Sequence, residues 1–106
     1  MAKYLARASY NAEGVKGLIK DKASGRRTSV TKLAESLGGK LESFYLAFGN
    51  DDIVSVVELP DNGAAAAFSL AVNAAGLAQL SMTPLMTVEE ADAAMTKHGN
   101  YKPPGR

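Results

Sequence analysis

The stretch Lys40–Pro60, KLESFYLAFGNDDIVSVVELP, decides how this chain of 106 residues folds. Two runs rich in β-branched and aromatic residues lie on either side of Gly49-Asn50-Asp51-Asp52. Asn, Asp and Gly are the residues that tight turns favour, and strands joined by such a turn pair with each other. The stretch therefore predicts a β-hairpin in the middle of the chain.

Apolar side chains occupy both faces of the two hairpin strands. In the first strand, Lys40–Phe48, strict alternation places Phe44 on one face and Leu41 and Tyr45 on the other. The second strand, Asp52–Leu59, repeats this pattern and is rich in β-branched residues. We expect both faces of these strands to be covered.

A strand and a helix precede the hairpin. Lys3–Tyr10 alternates as a strand does, and Asn11 is a suitable helix N-cap. Apolar residues then recur at helical spacing as far as Gly38, which predicts either one long helix or two collinear halves that share one apolar face. The segment Lys22–Gly25 is the weak middle of this helix, because serine and glycine are poor helix formers.

A second helix, a fourth strand and a short third helix follow the hairpin. Ala64–Ala75 is an alanine-rich helix, and Leu77–Met86 is a strand in which Pro84 indicates an edge position. Thr87–Glu90 has the sequence of a capping box, which predicts a last helix running to about His98.

The order strand, helix, strand, strand, helix, strand predicts one α+β domain over residues 1–106, with an extended tail at about 100–106. Its simplest form is a ferredoxin-like βαββαβ domain, with a four-stranded antiparallel sheet, both helices on one face and an added C-terminal helix. The other sheet face would be bare. Since the two hairpin strands, taken as the central strands of the sheet, are apolar on both faces, we expect a second copy to cover it, giving a homodimer or a higher oligomer.

The sequence also resembles a known family. The resemblance is carried by ESLGGKLESFYLAFG at Glu35–Gly49, by Asp52-Ile53-Val54 and by Leu59–Asn62, and extends almost from end to end. These segments are similar to the small bacterial GYD-domain family. Gly49 and Asp52 match the ends of its Gly, Tyr, Asp signature, but the tyrosine is absent here. The resemblance implies a dimeric α+β barrel and leaves the function unknown.

Composition excludes several classes of protein. Without cysteine there is no disulfide, thiolate metal site or cysteine nucleophile, and 12 basic against 11 acidic residues give a net charge of only +1. No apolar run approaches the roughly 20 residues of a membrane span, and the N-terminus does not have the pattern of a secretory signal. We expect a cytoplasmic protein that does not bind membranes.

Nucleic acid is not an expected partner either. The basic residues of the first helix are most simply explained as a solvated helix face; they are Lys16, Lys20, Lys22, Arg26, Arg27 and Lys32. The βαββαβ order also occurs in RNA-recognition domains, but the third strand has no aromatic residues on which bases could stack.

A few polar residues are candidates for a site. Arg7, Tyr10 and Tyr45 are the candidate ligand-binding residues, set against ordinary packing at a core or interface. Asp52, with its neighbour Asp51, could act as an acid or base or bind a hard cation, but turn geometry explains both residues more simply. His98, the sole histidine, is better explained as a helix-end cap than as a metal or haem ligand. We expect no metal and no cofactor.

Two functions remain open at this point. The first is a small homodimer that binds a small organic ligand or a protein partner. The alternative is a cofactor-independent enzyme of the oxygenase or isomerase type, acting on a small aromatic substrate in a cleft between sheet and helices. In that case the candidate residues are Tyr10, Tyr45, Asp52 and His98, with Tyr45 or His98 as the proton donor and Asp52 as the base. The sequence does not decide whether the protein is an enzyme.

Overall fold

The computed structural model describes residues 1–106 and contains four strands and three helices. In chain order these are β1 (Ala2–Tyr10), α1 (Ala12–Ser36), β2 (Lys40–Leu46), β3 (Ile53–Leu59), α2 (Asn62–Ala74), β4 (Ala78–Leu85) and α3 (Val88–Met95). This is the predicted βαββαβ order with the predicted short helix after it. A membrane span would need a longer apolar helix than any found here.

The four strands form one antiparallel sheet in the order β2-β3-β1-β4. The ferredoxin-like α+β fold predicted from the sequence is thus confirmed. The position of β2 corrects one expectation, because this strand lies at the edge of the sheet, while β1 and β3 are the central strands. Pro84 lies in β4, the other edge strand, as its missing N–H group requires.

A bulge in β2 overturns the strict alternation predicted for that strand. Leu41 pairs with Val57 and Phe44 with Ser55, so Glu42 is an extra residue between two regular pairings. Leu41 and Phe44 consequently lie on the same face, the one that the helices cover. The strand also ends at Leu46, two residues earlier than predicted.

Helix α1 is broken at Lys22, whose φ of 67° and ψ of 162° are not helical. The weak middle predicted for this helix is confirmed, but the two halves share the predicted apolar face only in part. Ile19, in the first half, is 66% exposed, whereas Leu33 and Leu37 in the second half pack against the core. A break changes the direction of the helix, so helical spacing cannot be carried across it.

The core lies between the sheet, α2 and the second half of α1. Its largest fully buried side chains are Val57 and Leu59 of β3 and Phe68 of α2. Tyr4 of β1 is buried among them, and its hydroxyl donates a hydrogen bond to Asn62 Oδ1 at 2.7 Å, at the start of α2. The paired hydroxyl allows a tyrosine to stand in an otherwise apolar core.

One side chain joins α2 to the outer edge of β4. Asn73 accepts the N–H of Leu80 through Oδ1 at 2.8 Å and donates through Nδ2 to the Leu80 carbonyl at 3.2 Å. Both backbone groups of Leu80 point away from β1, where a further strand would pair. The amide of Asn73 satisfies them instead.

The predicted capping box of α3 is confirmed. Thr87 Oγ1 accepts the N–H of Glu90, and Glu90 Oε1 accepts the N–H of Thr87, each at 3.0 Å. The hydrogen bond from the Thr87 backbone lowers the pKa of Glu90. The helix ends at Met95, so His98 lies beyond it rather than in its last turn. No residue of α3 is buried.

Candidate functional site

A cavity of about 300 Å³ lies between the sheet and the helices. Three elements enclose it: the helix-facing side of the sheet, α2, and α1 on both sides of its break. Large apolar side chains form most of its wall; they are Leu18, Val30, Leu33, Phe44, Ile53, Phe68, Val72 and Leu80. A concave, mainly apolar space of this size between two layers is typical of a small-molecule site.

The cavity exists because many residues around it are small. The sheet contributes Ala6, Ala8 and Ser55, α2 and its end contribute Ala71 and Ala75, and the first half of α1 contributes Gly14 and Gly17. Protein interiors are normally close-packed. Here these small side chains leave the space between the layers unfilled.

The two glycines of α1 have different roles. A Cβ atom at Gly14 would lie 2.3 Å from the Leu77 carbonyl oxygen and 2.8 Å from Tyr10 Cδ1, so only glycine allows the helix to approach this closely. At Gly17 a Cβ atom would meet nothing within 4 Å. Gly14 therefore brings the helix to the sheet, while Gly17 leaves room in the cavity.

Four polar side chains interrupt the apolar wall: Tyr10, Asp21, Arg26 and Ser55. Asp21 and Arg26 stand on opposite sides of the helix break at Lys22 and form an ion pair, with Arg26 Nη1 3.6 Å from Asp21 Oδ2. Arg26 Nε is buried and has no hydrogen-bond partner. The cavity thus combines apolar walls with a cation whose donors are only partly used.

Ser55 is the buried polar group on the sheet side of the cavity, with 3% of its surface exposed. Its hydroxyl donates to the Ala6 carbonyl over 3.5 Å, the long limit for such a bond. A weakly held hydroxyl of this kind can offer a hydrogen bond to a bound molecule. No cluster of three or more histidine, aspartate or glutamate side chains is placed to hold a metal ion.

Of the candidate residues predicted from the sequence, only Tyr10 lines the cavity. Asp52 lies nearby but has a structural role, since its Oδ2 accepts the backbone N–H of Tyr10 at 2.8 Å and ties the hairpin to the end of β1. This is a contact with a distant part of the chain and not the local turn contact that the sequence favours for this residue. His98 is exposed beyond α3.

Arg7 and Tyr45 lie on the other side of the sheet, on the face without helices, which we call the open face. Tyr45 pairs with Val54 and is 67% exposed. Arg7 forms an ion pair with Asp51, in which Arg7 Nη1 lies 4.0 Å from Asp51 Oδ2. Because the sheet separates them from the cavity, the candidate ligand-binding residues do not form a single site within one chain.

Sequence reasoning missed Asp21, Arg26 and Gly17. Arg26 was assigned to a solvated helix face, whereas it lines the cavity. The available signal was local: an acidic and a basic residue flank the weak middle of the helix, and Gly14 and Gly17 precede it on a segment where glycine is a costly choice. The positive φ of Lys22 gave no signal, because non-glycine residues rarely adopt it.

Comparison with known proteins identifies a family. The GYD domain model matches residues 4–95, from within β1 to the end of α3. No curated protein and no solved structure matches the chain significantly. The match spans most of the 106 residues, and the chain therefore belongs to the GYD-domain family.

Proposed function

We propose that the protein binds a small, largely apolar organic molecule in the cavity between its sheet and helices. The observation that carries this proposal is the cavity itself, about 300 Å³ in volume, with apolar walls and four polar side chains. Known ligand pockets combine a similar volume with a few polar groups that orient the ligand.

A cavity of this size lowers the stability of the fold. Each missing contact around a void reduces stability, and larger side chains at its walls would restore the contacts. Gly17 makes this point at a single position, because glycine weakens the helix there and an added Cβ atom would meet nothing within 4 Å. A bound molecule supplies the contacts that the side chains do not.

Gly17→Leu is the direct test of ligand binding, because it places a side chain at the open wall of the cavity. The probes are neutral molecules of two shapes, 1-naphthylacetamide and octanamide, titrated by calorimetry. We expect one or both to bind the unaltered protein and to lose roughly tenfold or more in affinity in Gly17→Leu, while the melting temperature stays the same or rises.

Lys20→Leu is the matched control for that experiment. It adds the same side chain to the same half of α1 at an exposed position that does not line the cavity. It should leave probe binding unchanged. Failure of both probes to bind the unaltered protein, or equal binding to Gly17→Leu, would contradict the proposal. Native mass spectrometry of the purified protein adds an independent reading of any molecule that it retains.

The enzyme alternative has less support from this geometry. Tyr45 lies across the sheet from the cavity, His98 lies beyond α3, and Asp52 is engaged by the backbone of Tyr10. The candidate proton donors and the candidate base are therefore not brought together within one chain. We propose binding rather than turnover.

We also propose that two copies pair through the open face. Its apolar and aromatic side chains are Leu5, Val54, Val56, Tyr45 and Leu85. The charges around them are already matched within the chain, as Lys3 with Glu42, Lys40 with Glu58 and Arg7 with Asp51. The hydrogen bond from Lys3 to Glu42 raises the pKa of Lys3. A face whose charges are paired can be covered by a second copy without isolating a charge.

The mass of the particle in solution tests this pairing. Light scattering should give a dimer for the unaltered protein and a monomer for Val56→Asp, which places two like charges in the covered face. Leu70→Asp, at a position of α2 that is 69% exposed, is the control and should leave the dimer intact. A monomeric unaltered protein would contradict this proposal and leave the cavity proposal standing.

A further inference from the structure

The cavity has one cation with unused hydrogen-bonding capacity. The guanidinium of Arg26 carries five N–H donors. Its nearest anion, Asp21, is 3.6 Å away, which is longer than the 2.7–3.2 Å of a good N–H···O hydrogen bond. Arg26 Nε is buried and donates to nothing. A buried donor without a partner is uncommon in folded proteins and requires an explanation.

The position of Arg26 explains the unused donor. The side chain lines the same cavity as the apolar residues of the sheet and of α2. Asp21 and Arg26 are joined across the break in α1, so this charged pair borders the cavity at the point where the helix changes direction. A molecule whose apolar part fills the cavity therefore has a cation within reach.

We propose that the ligand is a monocarboxylate with an apolar body, and that Arg26 binds its carboxylate. The planar fork of a guanidinium matches a carboxylate in two parallel hydrogen bonds, and Arg26 Nε would be one of the two donors. The inference rests on the proposed function, since it names the chemical class of the molecule in the cavity.

Asp21 limits the negative charge that the ligand can carry. Its carboxylate is about half exposed, so water can solvate it when a ligand takes over the guanidinium donors. It remains close to the bound anion and opposes a second negative charge there. This favours a carboxylate, with one charge, over a phosphate monoester with nearly two at neutral pH.

The experiment compares two probes of almost identical shape, 1-naphthylacetate and 1-naphthylacetamide, by calorimetric titration of the unaltered protein and its variants. We expect the carboxylate to bind roughly tenfold or more tightly than the amide. Arg26→Met should remove this preference, so that the two probes bind with similar affinities. Arg27→Met is the matched control. Arg27 is the next residue along the helix, but it is exposed and does not line the cavity, so this variant should keep the preference.

Asp21→Asn provides a second reading that does not depend on how well Arg26→Met folds. Removing the competing anion should raise the affinity for naphthylacetate severalfold relative to the affinity for the amide. Equal binding of the two probes to the unaltered protein, or a preference that persists in Arg26→Met, would overturn this inference while the cavity proposal stands. If neither probe binds, the proposed function itself fails.

Discussion

The space between sheet and helices has a filled half and a hollow half. Along the helix-facing side of β1, Tyr4 fills its half, whereas Ala6 and Ala8 leave theirs open. The neighbouring strand follows the same division, because Val57 pairs with Tyr4 and Ser55 pairs with Ala6. The strands are continuous across both halves. The difference therefore comes from the size of the side chains and not from the course of the backbone.

The two parts of α1 are divided differently between the halves. The second part borders both, since Ala34 and Leu37 pack in the core and Val30 lines the cavity, whereas the first part brings Gly14 and Gly17 to the cavity and no residue to the core. Because the helix is broken at Lys22, its two parts can pack against the sheet independently of each other. We infer that the filled half supplies most of the stability, while the hollow half is available for binding.

Leu59→Ala should have the largest effect, because it removes a fully buried side chain from the filled half. We expect a loss of about 2–5 kcal/mol in the free energy of unfolding, measured by urea denaturation. Leu70→Ala, on the exposed surface of α2, is the control and should change the free energy by less than about 0.5 kcal/mol. Similar values for the two variants would remove the basis for treating the first half as filled.

Gly14→Ala should destabilise the protein by about 1–3 kcal/mol, through overpacking where α1 meets the end of β1. The added Cβ atom would lie 2.3 Å from the Leu77 carbonyl oxygen, and backbone cannot move aside as a flexible side chain can. Thermal and urea unfolding measure the loss. A fully stable Gly14→Ala would show that the helix does not need this close approach.

Gly17→Ala should have the opposite sign, although the same substitution is made one helical turn later. Because the new methyl group meets nothing within 4 Å, only the gain in helix propensity remains, about 1 kcal/mol. The same unfolding experiments measure it. A loss of stability here would mean that the cavity is narrower at Gly17 than the structure has it.

Lowering the pH should have the smallest effect. It should act at the start of α3, which lies outside both halves. The pKa of Glu90 is lowered because its carboxylate accepts the N–H of Thr87, so the ionised form stabilises the start of α3. This contribution is present above the ordinary glutamate pKa of 4.5 and disappears as the pH falls through the lowered value. Amide chemical shifts of Thr87 should report the change, and Glu90→Gln should abolish its pH dependence.

The order of the elements could be predicted from the sequence because its signals are local. The turn at Gly49–Asp52, the capping box at Thr87 and the alternation of β1 each depend on a few neighbouring residues. The bulge at Glu42 could not be predicted, because it depends on the pairing of β2 with β3. The break at Lys22 was predicted only as a weak point in the helix.

The site was harder to predict because it is a space left by small side chains and not a set of distinctive residues. Ala8, Gly17 and Ser55 are unremarkable in sequence, and only their meeting in the fold leaves a space. Tyr45 and Arg7 attracted attention as polar residues on strands, but the sheet places both on its open face. A pattern of alternation tells which residues share a face, but does not tell which face borders a cavity.

The contact between Asn73 and Leu80 has a consequence for how the protein avoids aggregation. An edge strand with free N–H and C=O groups can add a strand from another molecule, and chains that do so can grow into fibrils. On β4 the Asn73 amide occupies the groups of Leu80, and Pro84 offers no N–H. At the opposite edge, β2 carries the bulge at Glu42 and the charge of Lys40. Each edge of the sheet is thus protected against strand addition, by different residues at each edge.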